Sequence, residues 1–264
     1  MQYFCGIDIG ASAAKLVVVD ENRRMVAKAL RKSGVDYAET AARCREEALS
    51  AAGLVEGQLQ ATVATGYGRD NVPWADGRMT EIACHGRGAH AHFPQEITVV
   101  DIGAQDSKMI HLGRSGRRHN FQMNRKCAAG TGAFLEEIAY RLDLPLSEIN
   151  GLAEKAVHEV TLGSFCTVFA STEILEKIRA GVKVEEIVKG AFRSVVKRIL
   201  EMGTLHGAMV LTGGVVAHNP VLAALLGESF GTEPKIPPEP QHVGAFGAAL
   251  FAMEEEKKGN PQCS

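Results

Sequence analysis

IDIGASAAKLVV, residues Ile7–Val18, and VDIGAQDSKMIH, residues Val100–His111, are two copies of one pattern. Asp8, Gly10 and Lys15 recur at one constant spacing as Asp101, Gly103 and Lys108. Each copy reads as an apolar strand, a tight Asp-Ile-Gly turn and a second, alternating strand, which is the pattern of a β-hairpin. A helical segment, Asp36–Ala52, follows the first copy. Duplicated strand–turn–strand units predict two similar α/β domains. EITVVDIG, after Pro94, opens the second half. The expected domains are therefore residues 1–93 and 94–242, with a C-terminal helix over 243–258 packing back on the first.

An Asp-x-Gly turn suits phosphate chemistry. Glycine lets the backbone approach closely, and successive N–H groups make an anion-binding nest. The aspartate can hold Mg²⁺ directly or through water. A plain hairpin accounts for one such turn, since aspartate and glycine are common turn residues; two aligned copies favour the phosphate reading. VLTGGVVAHNPVL (Val210–Leu222) reads as a buried strand, a Gly-Gly turn and a helix opened by Asn219-Pro220, and Gly213 and Gly214 leave room for a flat adenine or ribose. The chain has no GxxxxGK[ST] loop and no GxGxxG after a strand, so neither a P-loop nor a dinucleotide-binding domain is expected.

Composition narrows the class further. Of 264 residues, 45% are hydrophobic and 23% charged, and the formal net charge is −2 with both signs interspersed. No basic stripe points to nucleic acid. No apolar run approaches the ~20 residues of a membrane span, and MQYFCGIDIG does not read as a signal peptide. Six scattered cysteines without a CxxC pair argue against a disulfide framework, and the expected compartment is the reducing cytoplasm.

Two of those cysteines stand apart. Cys127 precedes Ala128–Gly132 and a helical pattern through Phe134, Leu135, Ile138 and Leu142. Cys166 precedes a second helical pattern through Ile174, Leu175 and Ile178. Thiols near helix N-termini are favoured as thiolates, whereas lone cysteines elsewhere, such as Cys5, Cys44 and Cys84, act as small buried hydrophobes. Two thiols cannot complete a Cys₄ iron–sulfur site. A twofold axis would supply the pair twice, but spacing alone leaves the choice between buried thiol and ligand open. His85, His90 and His92 in HGRGAHAH read as a solvated loop or helix face rather than a metal site, because no acidic or thiol partner is evident for them. Tyr67 and Arg69 in TGYGRD mark a turn that is either structural or partner-facing.

GIDIGASAAK, ATGYGR, DIGAQDSK, NFQMNRKCAAGTGAFLEE, FCTVFASTEIL and TGGVVAHNPVL together resemble the ATP-dependent activators of 2-hydroxyacyl-CoA dehydratases and the related ATPase subunits of benzoyl-CoA reductases, over nearly the whole chain. The resemblance implies an actin/Hsp70/sugar-kinase fold, ribonuclease H-like, with duplicated domains around a nucleotide cleft. It implies an ATPase coupled to electron transfer, active anaerobically as a homodimer with one [4Fe–4S] cluster per dimer. Cys127 and Cys166 then take the ligand positions. Asp8, Asp101 and Gln105 take the catalytic roles: either aspartate anchors Mg²⁺ through water, and Gln105 orients the attacking water. Gly10, Ala11, Ser12, Ala13, Ala14 and Lys15 form the first phosphate turn, and Gly103 and Ala104 belong to the second. Ala129, Gly130, Thr131 and Gly132 link nucleotide to cluster, while Gly213, Gly214 and Val215 seat adenosine. The implied partners are a dehydratase or reductase that receives the electron and ferredoxin or flavodoxin as donor. The chain departs from the family pattern at Ala11, Ala14, Ala104, Arg125 and Ala133. Two other readings are a small-molecule kinase of the same superfamily, with Asp106 as its carboxylate, and a non-enzymatic ATP-binding scaffold.

Overall fold

The computed structural model describes residues 1–163 and 167–259. Strands β1 (Tyr3–Ile9), β2 (Ala13–Asp20) and β3 (Met25–Lys32) lead into helix α1 (Tyr37–Ala52), β4 (Leu59–Thr65), the short β5 (Gly77–Arg78) and α2 (Glu81–His92). The pattern then restarts with β6 (Ile97–Ile102), β7 (Ser107–Leu112), β8 (Arg118–Asn124) and α3 (Gly132–Arg141). Helices α4 (Ile149–Lys155), α5 (Thr167–Arg179) and α6 (Val184–Leu200) follow. The chain continues through β9 (Ala208–Thr212), α7 (Gly214–His218), α8 (Pro220–Phe230) and α9 (Val243–Gly259). Two units result: Met1–Gln95 with Leu112–Arg118 and the chain from Gln241, and Glu96–His111 with His119–Pro240.

In the first unit the sheet order is β3-β2-β1-β4-β5. β1 and β2 pair antiparallel, with Asp8 opposite Lys15, and β1 and β4 pair parallel. The period of two divides the faces. Cys5, Ile7, Ile9, Leu16 and Val18 pack with Ala41, Cys44 and Ala48 of α1, whereas Phe4, Val17 and Val19 pack with Ala245, Ala248 and Ala249 of α9. Burying each side chain the size of Phe4 or Val17 contributes about 1.5–3 kcal/mol. β3 extends the read hairpin by a third strand. Its exposed positions, Val26, Lys28 and Leu30, alternate with buried Ala27 and Ala29, as an edge strand requires. Asp36 caps α1 by accepting from the Glu39 amide at 2.9 Å, and Gly53 closes it in the left-handed conformation.

The small residues of α9 set how closely the layers approach. A Cβ on Gly6 of β1 would lie 2.0 Å from the Ala245 carbonyl oxygen, and one on Gly247 would lie 1.8 Å from that of Cys84 in α2. Any side chain there forces the helix off the sheet or off its neighbour.

In the second unit the order is β8-β7-β6-β9. β6 and β9 run parallel with Asp101 beside Thr212. Lys235 adds a parallel bridge to Val210. Val100, Ile102 and Met109 pack with Phe134 of α3, Phe192 and Ile199 of α6 and Leu222 of α8 in one core. Because β6 and β9 run parallel, the turns that follow them, at Gly103 and Gly213, emerge at the same end of the sheet. The carboxyl ends of parallel strands are where open α/β sheets bind ligands.

Candidate active site

The first hairpin buries Asp8 at 2% exposure, with Lys15 Nζ 3.4 Å from Oδ2. Asp8 Oδ1 has no hydrogen-bond partner among the described residues. The turn is tight: Gly10 N–H donates to the Ala13 carbonyl at 3.1 Å, and Ser33 braces it from outside through Oγ to Gly10 O at 2.6 Å and N–H to Ser12 O at 3.1 Å. Ala11 and Ser12 form the exposed tip, Ala13 is half-buried and Ala14 is buried. The ATGYGR segment closes over the carboxylate. Gly66 has φ +88°, and a Cβ there would lie 2.4 Å from Asp8 Oδ1, so glycine is required on both counts. Tyr67 is exposed, and Arg69 Nη1 donates to Gly66 O at 3.2 Å.

The second hairpin has the same frame but different electrostatics. Lys108 is buried at 1% exposure between two carboxylates, 3.2 Å from Asp101 Oδ2 and 2.8 Å from Asp106 Oδ1. Asp101 Oδ1 accepts from Thr212 Oγ1 at 2.8 Å. Gly103 N–H donates to Asp106 O at 2.9 Å and closes the turn, leaving Ala104 half-buried and Gln105 exposed at its tip.

Helix α3 is tied directly to that turn. Gly132 N–H donates to Gly103 O at 2.9 Å, and Ala133 N–H donates to Ala104 O at 2.8 Å. These two amides belong to the orphan donors of a helix start, and the hairpin satisfies them. Ser107 Oγ donates to Gly130 O, and Thr131 donates through N–H and Oγ1 to Ala128 O. Asn124 Nδ2 holds Cys127 O at 3.1 Å and Ala129 O at 2.6 Å. Gly130, at φ +80°, lies against the Arg198 stem, and a Cβ on Gly132 would lie 3.0 Å from Val215. Gly213, at φ +99°, donates to Pro240 O, and a Cβ there would lie 2.3 Å from Ile102 O. Its need for glycine therefore comes from the approach to β6. Gly214 opens α7, and Val215 is buried beside Gly132. Within this unit the structure thus brings Gly103, Ala104, Gly132 and Val215 together.

Cys127 is free and half-buried, in the loop between β8 and α3. The Ala128–Thr131 turn intervenes, so the thiol lies ahead of the helix rather than in its first turn. Burial pushes the Cys5, Cys44 and Cys84 thiols up to about 12, which keeps them protonated and inert. Cys166 and Cys263 lie outside the described residues. The histidine reading changes. His85 is buried, not solvated, with Nε2 3.8 Å from Glu81 Oε1. His90 bonds the Arg114 carbonyl, and His92 stacks on Phe246. Helical spacing spreads the three rings over different neighbours, so they form no common site.

Sequence reasoning missed Thr212, Ser107 and Asn124. Nothing in their local pattern singles them out, since each acts through a fold-dependent contact. Lys108 had a signal in its alignment with Lys15, but its second carboxylate, Asp106, did not.

A sequence model of the BadF/BadG/BcrA/BcrD ATPase family matches residues 5–252. The chain belongs to that family. Its relatives include the (R)-2-hydroxyglutaryl-CoA dehydratase activating ATPase of Acidaminococcus fermentans, 39% identical, with 97% of this chain and 99% of that one covered. Among solved structures, the activator of the 2-hydroxyisocaproyl-CoA dehydratase from Clostridium difficile, with bound ADPNP, superposes at TM-score 0.92 and 35% identity, covering 100% of this chain and 98% of the other. A ROK family glucokinase from Streptomyces griseus shares the fold at TM-score 0.59 and 13% identity, covering 96% of this chain and 99% of its own. This BadF/BadG/BcrA/BcrD ATPase therefore has the actin/Hsp70/sugar-kinase fold that the family resemblance implied.

Proposed function

We propose that this ATPase is an activator that delivers a low-potential electron to a 2-hydroxyacyl-CoA dehydratase or a benzoyl-CoA reductase-like enzyme. The observation that carries the reading is the pair of hydrogen bonds from Gly132 and Ala133 to the carbonyls of Gly103 and Ala104. They join the Cys127 loop to the second Asp-x-Gly turn within one unit. The names of the family's relatives supply the acceptor class.

The residues present fit the implied cofactors. Asp8 has an orphaned, buried carboxylate oxygen, whereas Thr212 and Lys108 engage both oxygens of Asp101. Asp8 is therefore the better anchor for hydrated Mg²⁺. Cys127 is accessible and free, unlike Cys5, Cys44 and Cys84. Cys127 and Cys166 from each of two subunits would hold a [4Fe–4S] cluster, which supplies the transferred electron; ferredoxin or flavodoxin would be the donor.

The chain's own residues do the rest. Lys15, part-exposed beside Asp8, offsets phosphate charge. Gln105, at the exposed tip of a closed turn, orients the attacking water. Loss of the γ-phosphate relaxes that turn, and its carbonyls carry the change to α3. Two backbone hydrogen bonds at about 1 kcal/mol each transmit about 2 kcal/mol. Larger coupling requires the Ser107–Gly130 and Asn124–Cys127 contacts as well. Asp106, the carboxylate of the kinase reading, is paired with Lys108 at 2.8 Å.

Anaerobic purification with iron and sulfide analysis, followed by an ATPase assay, tests this reading. Equal iron and sulfide together with ATP turnover are expected; iron-free protein that hydrolyses ATP rejects the electron-transfer half. Gln105→Ala lowers kcat about 100-fold with nucleotide affinity nearly unchanged, since its task is positioning. Isothermal titration beside steady-state assays checks this, and an equal loss of binding and turnover counts against the role.

A further inference from the structure

The loop that carries Cys127 has its hydrogen bonds satisfied on one side only. Four consecutive carbonyls, those of Cys127 through Gly130, each accept a bond from within the second unit. Asn124, the last residue of β8, gives its two amide hydrogens to Cys127 O at 3.1 Å and Ala129 O at 2.6 Å. Thr131 donates to Ala128 O through N–H at 3.1 Å and Oγ1 at 2.6 Å, and Ser107 Oγ donates to Gly130 O. The left-handed φ of +80° at Gly130 closes the Ala128–Thr131 turn. In a trans peptide the C=O and the next N–H point to opposite sides. Drawing the carbonyls to these partners therefore turns the Ala128, Ala129 and Gly130 amides the other way. None of the three meets an acceptor among the described residues. Ala129 and Gly130 are buried, where an amide without an acceptor is rare. Beside a free thiol, then, the loop has its acceptors engaged and three donors open.

We infer that Asn124 is a positioning residue for the iron–sulfur group: by holding the Cys127 and Ala129 carbonyls it leaves the loop's amides, rather than its carbonyls, free for sulfur, and so makes the group easier to reduce. The inference rests on the reading of Cys127 as a cluster ligand. Reduction adds negative charge, which amide dipoles stabilise and carbonyl dipoles oppose. Hydrogen bonds to the sulfurs are among the determinants of an iron–sulfur potential. Groups that orient a metal ligand without touching the metal typically matter 10–100-fold in metal affinity or activity. Asn124 acts in this way, because its recorded bonds go to backbone oxygens on either side of Ala128 and not to the Cys127 sulfur. Asparagine suits the position: leucine has its size but no donor, and ionised aspartate has its shape but only acceptors.

Anaerobic redox titration followed by electron paramagnetic resonance reads the midpoint potential. Iron loss to a chelator, ADP affinity and melting temperature are measured beside it. In Asn124→Leu the reduced-to-oxidised ratio at a fixed potential falls about 10-fold, a midpoint about 59 mV more negative for one electron. Iron passes to the chelator about 10-fold faster. Asn124→Asp, with the same shape and no donor, changes in the same direction. A residue that merely packs the loop would lower the melting temperature and leave the midpoint alone, and that result overturns the inference. An unchanged midpoint with weakened ADP binding assigns the three amides to phosphate and overturns it as well. If Asn124→Leu does not fold, Ser107→Ala, which frees the Gly130 carbonyl alone, lowers the ratio about 3-fold; an unchanged midpoint there overturns the inference by itself. Wild-type protein without iron rejects the cluster reading, and this inference with it. Wild-type protein with iron, and the same midpoint in Asn124→Leu, rejects this inference alone.

Discussion

Cys127→Ser, purified without oxygen, carries no iron. In the proposed site shared by a dimer, loss of one thiolate per subunit removes two of four ligands, and serine oxygen is a poor substitute for a soft ligand. No other described cysteine can step in: Cys5, Cys44 and Cys84 are buried, with thiols pushed up to about 12. The substitution itself is mild. Cys127 is half-buried in a loop, and Asn124 holds its carbonyl rather than its sulfur. Nucleotide affinity and melting temperature of the iron-free protein therefore stay close to wild type. Iron, sulfide and visible absorbance, measured beside ADP titration, separate loss of a ligand from loss of the fold. Cys84→Ala serves as the control and keeps its iron. Full iron in Cys127→Ser ends the ligand assignment.

Lys108→Met destabilises the protein by about 3–5 kcal/mol, the cost of removing one partner from a buried charge cluster. The two carboxylates left behind, Asp101 and Asp106, lose the cation that lies at hydrogen-bond distance from both. At roughly 2–4 °C per kcal/mol for a chain of this size, the melting temperature drops by about 10 °C. Lys15→Met, the same change in the other hairpin, costs less, about 1–3 kcal/mol, the cost of leaving one buried group without its partner. Lys15 is less buried than Lys108 and meets a single carboxylate, at 3.4 Å. Adding Asp106→Asn to Lys108→Met recovers part of the loss by removing one of the stranded charges. Thermal denaturation of the four proteins checks the comparison, and equal melting temperatures for Lys15→Met and Lys108→Met contradict it. The contrast also bears on chemistry. Lys108 serves first to hold the second hairpin together, whereas Lys15 is the lysine we propose to meet phosphate.

The hairpins were legible in the residues because their determinants are local. Alternation with period two, an aspartate and a glycine all fall within a dozen residues, and the second copy removed the ambiguity of the first. The helix after Cys127 was legible for the same reason. β3 was harder, since its exposed positions mix Val26, Leu30 and lysines over small buried alanines, which blurs the apolar period.

Contacts made across the fold were not legible. The Thr212–Asp101 bond joins residues 111 apart, and it exists because β6 and β9 pair in one particular register. His85 looked like part of a solvated loop or helix face. Only the close packing of α2 on α9, through Gly88 and Gly247, turns it inward, beside Gly244. The hydrogen bonds from Gly132 and Ala133 to the second turn likewise depend on where α3 comes to rest. The physical reason is one of range: backbone propensity and side-chain period act over a few residues, while the partner of a buried polar group is chosen by register and helix approach between segments that the chain keeps far apart.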